Sequence, residues 1–184
     1  MRNLEFKAEL REPAIAREVC RALGATLIGT MRQVDTYYRM AAGRLKRREI
    51  SVDVPPGETP AEPEVEIIFY ERPNEVGAKV SRFRIYSEER AAEVFGREPL
   101  PIWLVVKKVR TLYMLGNTRI HLDQVEGLGW FLEFEHLMSR DASNESAKAE
   151  IARLRQAFAM VLGEPIDCGY SDLIAAGIEG GRPA

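Results

Sequence analysis

Charged side chains recur at every second position in several stretches of this chain. Glu5 and Lys7 alternate with apolar residues near the N-terminus, and Glu133 and Glu135 do the same further along. Side chains two residues apart on a β-strand point to the same face, so each strand would have an apolar and a charged face. If the sheet curves so that the charged faces look inward, bases and carboxylates line a channel. Such a channel suits a polyanion and a divalent metal ion.

Basic residues are concentrated in two further stretches. Lys46 and Arg48 share a face with Arg44, and Lys108 shares a face with Arg110. A charged edge strand that discourages aggregation is the structural alternative for such a stretch. Both interpretations place these bases on strands. The same alternation recurs in 82–85 and 119–123, where the polar or charged members are Arg82, Arg84, Arg119, His121 and Asp123.

Carboxylates oppose these bases, namely Glu5, Asp123, Glu133 and Glu135. Two carboxylates two residues apart on a strand can bind one cation through hard oxygen ligands. Magnesium or manganese is the fitting class, because Mg²⁺ takes one or two carboxylates plus substrate phosphates. The alternative is that the acids and bases only pair with each other. Buried pairs of that kind are costly in desolvation, so a chain with many inward charges favours a polyphosphate ligand.

Other kinds of site have little support. His121 and His136 are the only histidines, and neither an acyl-transfer triad nor a zinc-hydrolase spacing can be built from them. His136 shares a face with Leu132 and Phe134, which favours a structural role. Residues 127–129 lack the rest of a dinucleotide fingerprint, and the sequence has no phosphate-binding loop of the Gly-Lys-Ser type.

The composition favours a soluble single domain. The chain has 184 residues and a formal net charge of −2, whereas a general nucleic-acid coat protein would usually be basic. Cys20 and Cys168 are too few for a disulfide framework, which favours reduced thiols in the cytosol. No stretch approaches the roughly 20 apolar residues of a membrane span, and no apolar signal region opens the chain. We therefore expect a cytoplasmic protein with neither membrane nor nucleic-acid partners.

The elements that must position the charged residues are mostly strands. Helical spacing predicts helices over 12–23, 87–95 and 143–162, and a short docking turn over 170–174. Prolines predict a solvated loop within 55–63, and 74–77 predicts a turn. We expect one domain over 1–176 and a frayed tail over 177–184. Alternation predicts strands over 3–10, 25–38, 44–51, 64–71, 79–86, 102–115, 118–125 and 130–138.

This order indicates an α+β protein built on a curved antiparallel sheet or a closed barrel. Short motifs also occur in a fixed order along nearly the whole chain. They are 3–7 (NLEFK), 35–38 (DTYY), 43–49 (GRLKRRE), 70–73 (YERP), 108–113 (KVRTLY), 119–123 (RIHLD), 125–129 (VEGLG), 131–135 (FLEFE) and 170–173 (YSDL). In this order and spacing they resemble the CYTH domains of the triphosphate tunnel metalloenzymes. That family is named for class IV adenylyl cyclase and thiamine triphosphatase.

The resemblance implies an eight-stranded antiparallel β-barrel with flanking helices, which forms a triphosphate tunnel open at both ends. Its bases would grip a triphosphate and its carboxylates would hold Mg²⁺ or Mn²⁺. Carried over residue by residue, the metal ligands would be Glu5, Glu133 and Glu135, with Asp123 as a ligand or water-orienting group. These four carboxylates would also be the catalytic residues. The phosphate contacts would be Lys7, Lys46, Arg48, Arg82, Arg84, Lys108, Arg110 and Arg119.

One residue departs from the family pattern. The family's first glutamate is Asn3 in this chain. An amide oxygen can bind a cation, but it brings no charge and cannot act as a base. The departure therefore predicts a weaker second metal site and a weaker two-metal mechanism.

Three functions fit these observations. The favoured one is a metal-dependent phosphohydrolase acting on a small-molecule triphosphate: inorganic triphosphate, thiamine triphosphate or a nucleoside triphosphate. The first alternative is a class IV adenylyl cyclase that converts ATP to cyclic AMP and pyrophosphate, which residues 111–117 and 170–173 favour. The second alternative is a non-catalytic polyphosphate- or nucleotide-binding module, which Asn3 favours. The chain would be a monomer or a homodimer.

Overall fold

Eight antiparallel strands close into a barrel in the computed structural model, which describes residues 2–52, 61–71, 78–138 and 144–179. The strand order is β5-β4-β3-β2-β6-β7-β8-β1, and pairing of β1 with β5 closes the ring. The barrel confirms the predicted fold class. The strands are β1 (Arg2–Leu10), β2 (Thr26–Tyr38), β3 (Arg44–Val52), β4 (Glu64–Glu71), β5 (Lys79–Tyr86), β6 (Ile102–Leu115), β7 (Thr118–Val125) and β8 (Gly129–Leu137).

Within the described residues, four helices and one short strand flank the barrel. The helices are α1 (Pro13–Ala22), α2 (Glu88–Phe95), α3 (Asn144–Ala157) and α4 (Tyr170–Glu179), and β9 (Leu162–Pro165) pairs with the end of β1. Pro13 lies in the first turn of α1, where its missing N–H costs nothing. Ser87 begins α2 and accepts a hydrogen bond from the backbone N–H of Arg90.

The main hydrophobic core lies outside the barrel, beneath α1 and α3. Leu4 and Phe6 on β1 and Phe134 on β8 are almost fully buried there. They pack with Phe158 and the helical residue Leu154, which belong to the apolar stripe predicted for the 143–162 segment. Because apolar residues of β1 and β8 face outward beneath the helices, the alternate charged residues must face inward. The fold therefore places charged residues in its interior.

The hairpin between β2 and β3 depends on Gly43. Gly43 has a φ of +67°, and a Cβ at this position would lie 2.5 Å from the Phe69 ring. Glycine avoids both the strain and the clash. The resulting register sets Asp35 opposite Arg48 and Tyr37 opposite Lys46.

The structure differs from the sequence prediction mainly after β8. The predicted helix over 143–162 ends at Ala157 and is followed by β9. The predicted docking turn is the helix α4, which continues through Gly177 to Glu179 into the expected tail. Residues 55–60 of the predicted proline-rich loop, the predicted turn over 74–77 and residues 180–184 lie outside the described residues. In the part of the chain that is described, no helix has the length and apolar character to cross a bilayer.

Candidate functional site

The inward faces of the barrel strands enclose a cavity of about 340 Å³. Its wall is highly charged although much of it is buried: Lys7 is 5% exposed and Lys108 6%. Burying unpaired charges costs several kcal/mol each, so the pairing of these groups decides what the cavity can bind. The predicted site residues that line it are Glu5, Lys7, Lys46, Arg48, Lys108, Arg110, Arg119, Glu133 and Glu135.

Asp35 organises the bases on one side of the cavity. Its carboxylate accepts hydrogen bonds from Arg48 Nε (2.7 Å) and Nη2 (2.9 Å) and from Lys46 Nζ (2.8 Å). Lys108 Nζ lies 3.7 Å from the same carboxylate. Asp35 is only 1% exposed, so it contacts the bases from behind and leaves their other faces toward the cavity. One buried acid thus holds three bases in place.

Asp123 performs the same task for Arg110. Arg110 donates from Nε (2.7 Å) and Nη2 (2.6 Å) to the two oxygens of Asp123. Tyr170 donates its hydroxyl to Asp123 Oδ2 (2.9 Å). Asp123 is fully buried, and a different set of side chains forms the metal-ligand group described below. Asp123 thus pairs with Arg110 and Tyr170 in the structure, and its role as a metal ligand or water-orienting group stays a prediction.

The buried charges shift one another's pKa values. Burial by itself raises the pKa of Asp35, but the charges of Arg48 and the two lysines outweigh it and hold the pKa well below its usual range. The pKa of Asp123 is also lowered, because Arg110 and Lys108 outweigh the effect of burial. Burial and the charge of Arg110 lower the pKa of Lys108 to about 7. Lys108 is therefore a cation that can be lost near neutral pH.

A group of side chains that could hold a metal ion, called the metal-ligating group below, lies on the wall formed by β7 and β8. His121, Glu133 and Glu135 each offer one ligand atom, and these atoms lie within 4.8 Å of one another. His121 Nδ1 is 3.6 Å from Glu133 Oε2 and 3.9 Å from Glu135 Oε1. Among the described residues His121 Nδ1 has no hydrogen-bond partner, although it is buried. An unpartnered imidazole nitrogen beside two carboxylates fits a divalent metal ion.

Bases also contact this acidic group. Glu133 Oε2 accepts a hydrogen bond from Arg110 Nη2 (3.0 Å), and Lys7 Nζ lies 3.4 Å from Glu133 Oε1. Arg119 is 3.6 Å from Glu135, and its side chain is 39% exposed. Burial raises the pKa of Glu133, but Lys7 and neighbouring donors outweigh it and hold the pKa well below its usual range. Glu133 is therefore anionic and available as a ligand at neutral pH.

Glu5 and Asn3 extend the polar wall onto β1. Glu5 lines the cavity and faces Glu135 in the register of β1 and β8. Asn3 also lines the cavity and is 2% exposed. The side-chain oxygen of Asn3 has no hydrogen-bond partner within the described part of the chain. The predicted ligand Glu5 thus adjoins the metal-ligating group, while Asn3 contributes a neutral oxygen.

Arg82 and Arg84 do not join the site, and the prediction that they face the cavity is wrong. Both are exposed, whereas the alternate residues of β5, Ser81, Phe83 and Ile85, line the cavity. On β5 the face that carries the arginines points outward, and the face with Ser81 and Phe83 points into the barrel. Alternation along a strand separates its two faces but does not show which of them faces inward.

The start of helix α4 contributes to the cavity wall. The Tyr170 ring is 4% exposed, packs on Phe131 (5.1 Å between centroids) and lies 3.9 Å from Lys7 Nζ. Arg44 holds the helix by donating to Asp172 Oδ2 (2.5 Å). Tyr170 therefore lines the cavity next to Lys7 and Lys108.

Apolar residues of β3, β4 and β5 form part of the cavity wall, together with Lys46, Arg48 and Glu66. Ile50 on β3, Ile68 on β4 and Phe83 and Ile85 on β5 line the cavity. Ile85 is 44% exposed while it does so. An apolar surface of this kind accommodates an organic group better than it does a charged one.

The sequence analysis does not predict three of the residues at this site. Asp35 and Tyr170 belong to motifs that had been recognised, but nothing in their spacing showed which buried charges they contact. His121 alternates with Arg119 and Asp123, so its inward orientation was visible in the pattern. Its place beside Glu133 follows from the pairing of β7 with β8, which sets His121 opposite Glu133.

Comparison with known proteins identifies the class. The family model for the CYTH domain matches residues 1–159. The chain therefore belongs to the CYTH family. Proteins of this family bind triphosphate substrates and in general depend on a metal ion. No curated protein gives a significant match to the chain.

Solved structures agree on the fold. The PH1012 protein from Pyrococcus horikoshii OT3 superposes with a TM-score of 0.67 at 23% identity, over 92% of this chain and 98% of that one. A candidate adenylate cyclase from Vibrio parahaemolyticus gives a TM-score of 0.67 at 15% identity, over 94% and 97%. A candidate adenylyl cyclase from Hippeastrum, described as having a dominant triphosphatase activity, gives 0.56 at 15% identity, over 99% and 97%.

Proposed function

We propose that this protein is a divalent-metal-dependent phosphohydrolase that cleaves a small-molecule triphosphate in the barrel cavity. The observation that carries the proposal is the division of the cavity wall into bases anchored by buried aspartates and a group of metal-ligating side chains. Asp35 and Asp123 contact the bases from behind, and His121, Glu133 and Glu135 lie within 4.8 Å of one another. Family membership supports the same conclusion.

The bases are proposed to bind the phosphate chain. Lys46 and Arg48 approach from one side, Lys108 and Arg110 from the inner part of the cavity, and Lys7 from β1. Their ammonium and guanidinium groups donate charge-assisted hydrogen bonds to phosphate oxygens. Because Asp35 and Asp123 fix them beforehand, they stabilise the charge that develops during phosphoryl transfer without reorganising.

The carboxylates are proposed to hold the metal ion and to position the attacking water. A bound Mg²⁺ or Mn²⁺, held by Glu133 and Glu135 with His121 and Glu5 nearby, would neutralise phosphate charge and polarise the phosphorus. A carboxylate of the Glu5–Glu135 pair orients a water for in-line attack and accepts its proton. The bond from the terminal phosphorus to its bridging oxygen breaks as the bond to water forms, which releases orthophosphate.

Product analysis tests the proposal. The protein is incubated with tripolyphosphate, thiamine triphosphate or ATP, each with Mg²⁺ or Mn²⁺, and the products are separated by anion-exchange chromatography. The proposal expects orthophosphate and the matching diphosphate from at least one substrate. Cyclic AMP with pyrophosphate would instead establish the cyclase alternative. Thermal stabilisation by triphosphate without any product would establish a binding module.

Two matched variants test the site. Lys46→Met removes a base that Asp35 anchors, while Arg82→Met removes an arginine on the outer face of β5. Losing a charge-assisted hydrogen bond costs about 1.5–3 kcal/mol, so Lys46→Met should weaken triphosphate binding roughly 10- to 100-fold. Arg82→Met should bind as the unsubstituted protein does. Equal affinities in the two variants would exclude the cavity as the binding site.

A further inference from the structure

His121 places a nitrogen that could ligate a metal ion beside the carboxylates of Glu133 and Glu135. Glu133 and Glu135 are oxygen ligands of the kind that Mg²⁺ and Mn²⁺ share. His121 Nδ1 stands beside both, at 3.6 Å and 3.9 Å from their nearest oxygens. These separations are longer than an ordinary hydrogen bond. The three donor atoms lie within 4.8 Å of one another.

The Nδ1 atom of His121 also lacks a hydrogen-bond partner in the part of the chain that the structure describes. His121 is 2% exposed, and within the described residues its Nδ1 has no hydrogen-bond partner. A buried polar atom without a partner costs free energy and calls for an explanation. The neighbouring cations Arg110 and Lys7 already contact Glu133. An ion that takes the imidazole nitrogen and both carboxylates together would satisfy this atom.

The donor set has a consequence for the choice of metal. Imidazole is a good ligand for first-row transition metals, whereas Mg²⁺ takes oxygen ligands and retains its waters. A site with two carboxylates and one imidazole therefore favours Mn²⁺ over Mg²⁺ more strongly than a site of carboxylates alone. We infer that His121 is a direct metal ligand in this protein and makes the cavity selective for Mn²⁺ over Mg²⁺. The inference rests on the proposed function insofar as that function places a divalent ion at Glu133 and Glu135.

The chain offers a matched control in its other histidine. His136 lies on β8 next to the site but outside the metal-ligating group, and its Nδ1 is 2.8 Å from Thr118 Oγ1. Replacing either histidine by glutamine keeps a polar side chain of similar length and removes an imidazole. His121→Gln alone removes the proposed ligand.

Mn²⁺ binding to the metal-free full-length protein is measured by the loss of the free-ion signal in electron paramagnetic resonance, with Mg²⁺ as competitor. Even partners one shell beyond the ligands are worth roughly 10- to 100-fold in metal affinity, so His121→Gln should weaken Mn²⁺ binding at least about tenfold. Mg²⁺ affinity should change much less, so the Mn²⁺/Mg²⁺ ratio collapses. His136→Gln should retain the ratio of the unsubstituted protein.

Electron spin-echo envelope modulation of bound Mn²⁺ provides a direct signature that needs no variant. Nitrogen-14 modulation from a coordinated imidazole is expected in the unsubstituted protein and in His136→Gln, and it should vanish in His121→Gln. Bound Mn²⁺ without this modulation, or no Mn²⁺ binding at all, overturns the inference. Modulation without phosphate release in the product analysis would leave the ligand assignment standing and overturn the proposed function instead.

Discussion

Two pairs of carboxylates lie on the inner side of the barrel, yet their surroundings differ. The oxygens of Asp35 and Asp123 accept hydrogen bonds of 2.6–2.9 Å from arginine, lysine and tyrosine donors. The ion pairs of Glu135 are 3.6 Å and 3.9 Å long, and Glu133 accepts one hydrogen bond of 3.0 Å from Arg110 beside a 3.4 Å ion pair with Lys7. The aspartates are committed to the protein, whereas the glutamates retain capacity for a ligand.

The difference shows how a protein can hold many bases together before a polyanion binds. Lys46, Arg48, Lys108 and Arg110 would repel one another in a dry cavity. Asp35 and Asp123 offset that repulsion from behind, so the bases remain directed at the cavity. The glutamates need not serve this purpose, and their looser contacts suit exchange with a metal ion. Within one barrel, the aspartates thus stabilise the protein, while the glutamates are the carboxylates suited to binding a metal ion.

The largest expected effect comes from removing an anchoring charge. Asp35→Asn leaves Arg48, Lys46 and Lys108 without their shared counter-ion, and breaking a buried ion pair in this way costs about 3–5 kcal/mol. Urea denaturation in the absence of ligand should show that loss in the free energy of unfolding. A destabilisation below about 1 kcal/mol would mean that the bases do not depend on Asp35.

The next largest effect is expected on turnover, in a variant whose stability changes little. Glu135→Gln removes a loosely paired carboxylate, so the free energy of unfolding should change by less than about 1 kcal/mol. Turnover should fall on the order of 100-fold, because a group acting on the developing charge is lost. Urea denaturation and steady-state phosphate release measure the two quantities on the same sample. A loss of stability like that of Asp35→Asn would erase the proposed difference between the carboxylates.

The smallest expected effect is a pH dependence of binding. Burial and Arg110 lower the pKa of Lys108 to about 7, so its charge is present below that pH and lost above it. The affinity for metal-free tripolyphosphate is measured by calorimetry at pH 6.5 and at pH 8.5, in the unsubstituted protein and in Lys108→Met. Between these pH values the affinity of the unsubstituted protein should fall by up to about tenfold more than that of Lys108→Met. Identical pH profiles for the two proteins would show that Lys108 does not titrate in this range.

The lowered pKa of Lys108 affects stability in the opposite direction: as the pH rises, binding weakens but the free energy of unfolding increases. Lys108 titrates near 10.5 when unfolded and near 7 when folded, so the unfolded chain binds the extra proton between these values. The contribution of Lys108 to the free energy of unfolding therefore rises with pH across this window. Asp35 and Asp123, whose pKa values are lowered, contribute stability at neutral pH that is lost on acidification.

Much of the barrel could be predicted from alternation alone. The bounds of β4, β5, β6 and β7 match the predicted strands residue for residue, because segments with alternating or mainly β-branched and aromatic residues are bounded there by turn residues. The ends of α3 and the short β9 could not be predicted, since the apolar residues Phe158 and Val161 continue a helical spacing after the helix has ended. Local pattern cannot distinguish a helix from a turn that packs on the same core.

The sequence determined that charged and apolar residues occupy opposite faces of most strands. That follows from the two-residue period of a strand and needs no tertiary information. Only the tertiary structure decided which carboxylates anchor bases and which remain for a metal ion, because both sets have the same local pattern. It also decided that His121 joins Glu133 and that Arg82 and Arg84 point away. These outcomes depend on strand register and barrel closure, which bring residues distant in sequence to within a few ångströms of one another.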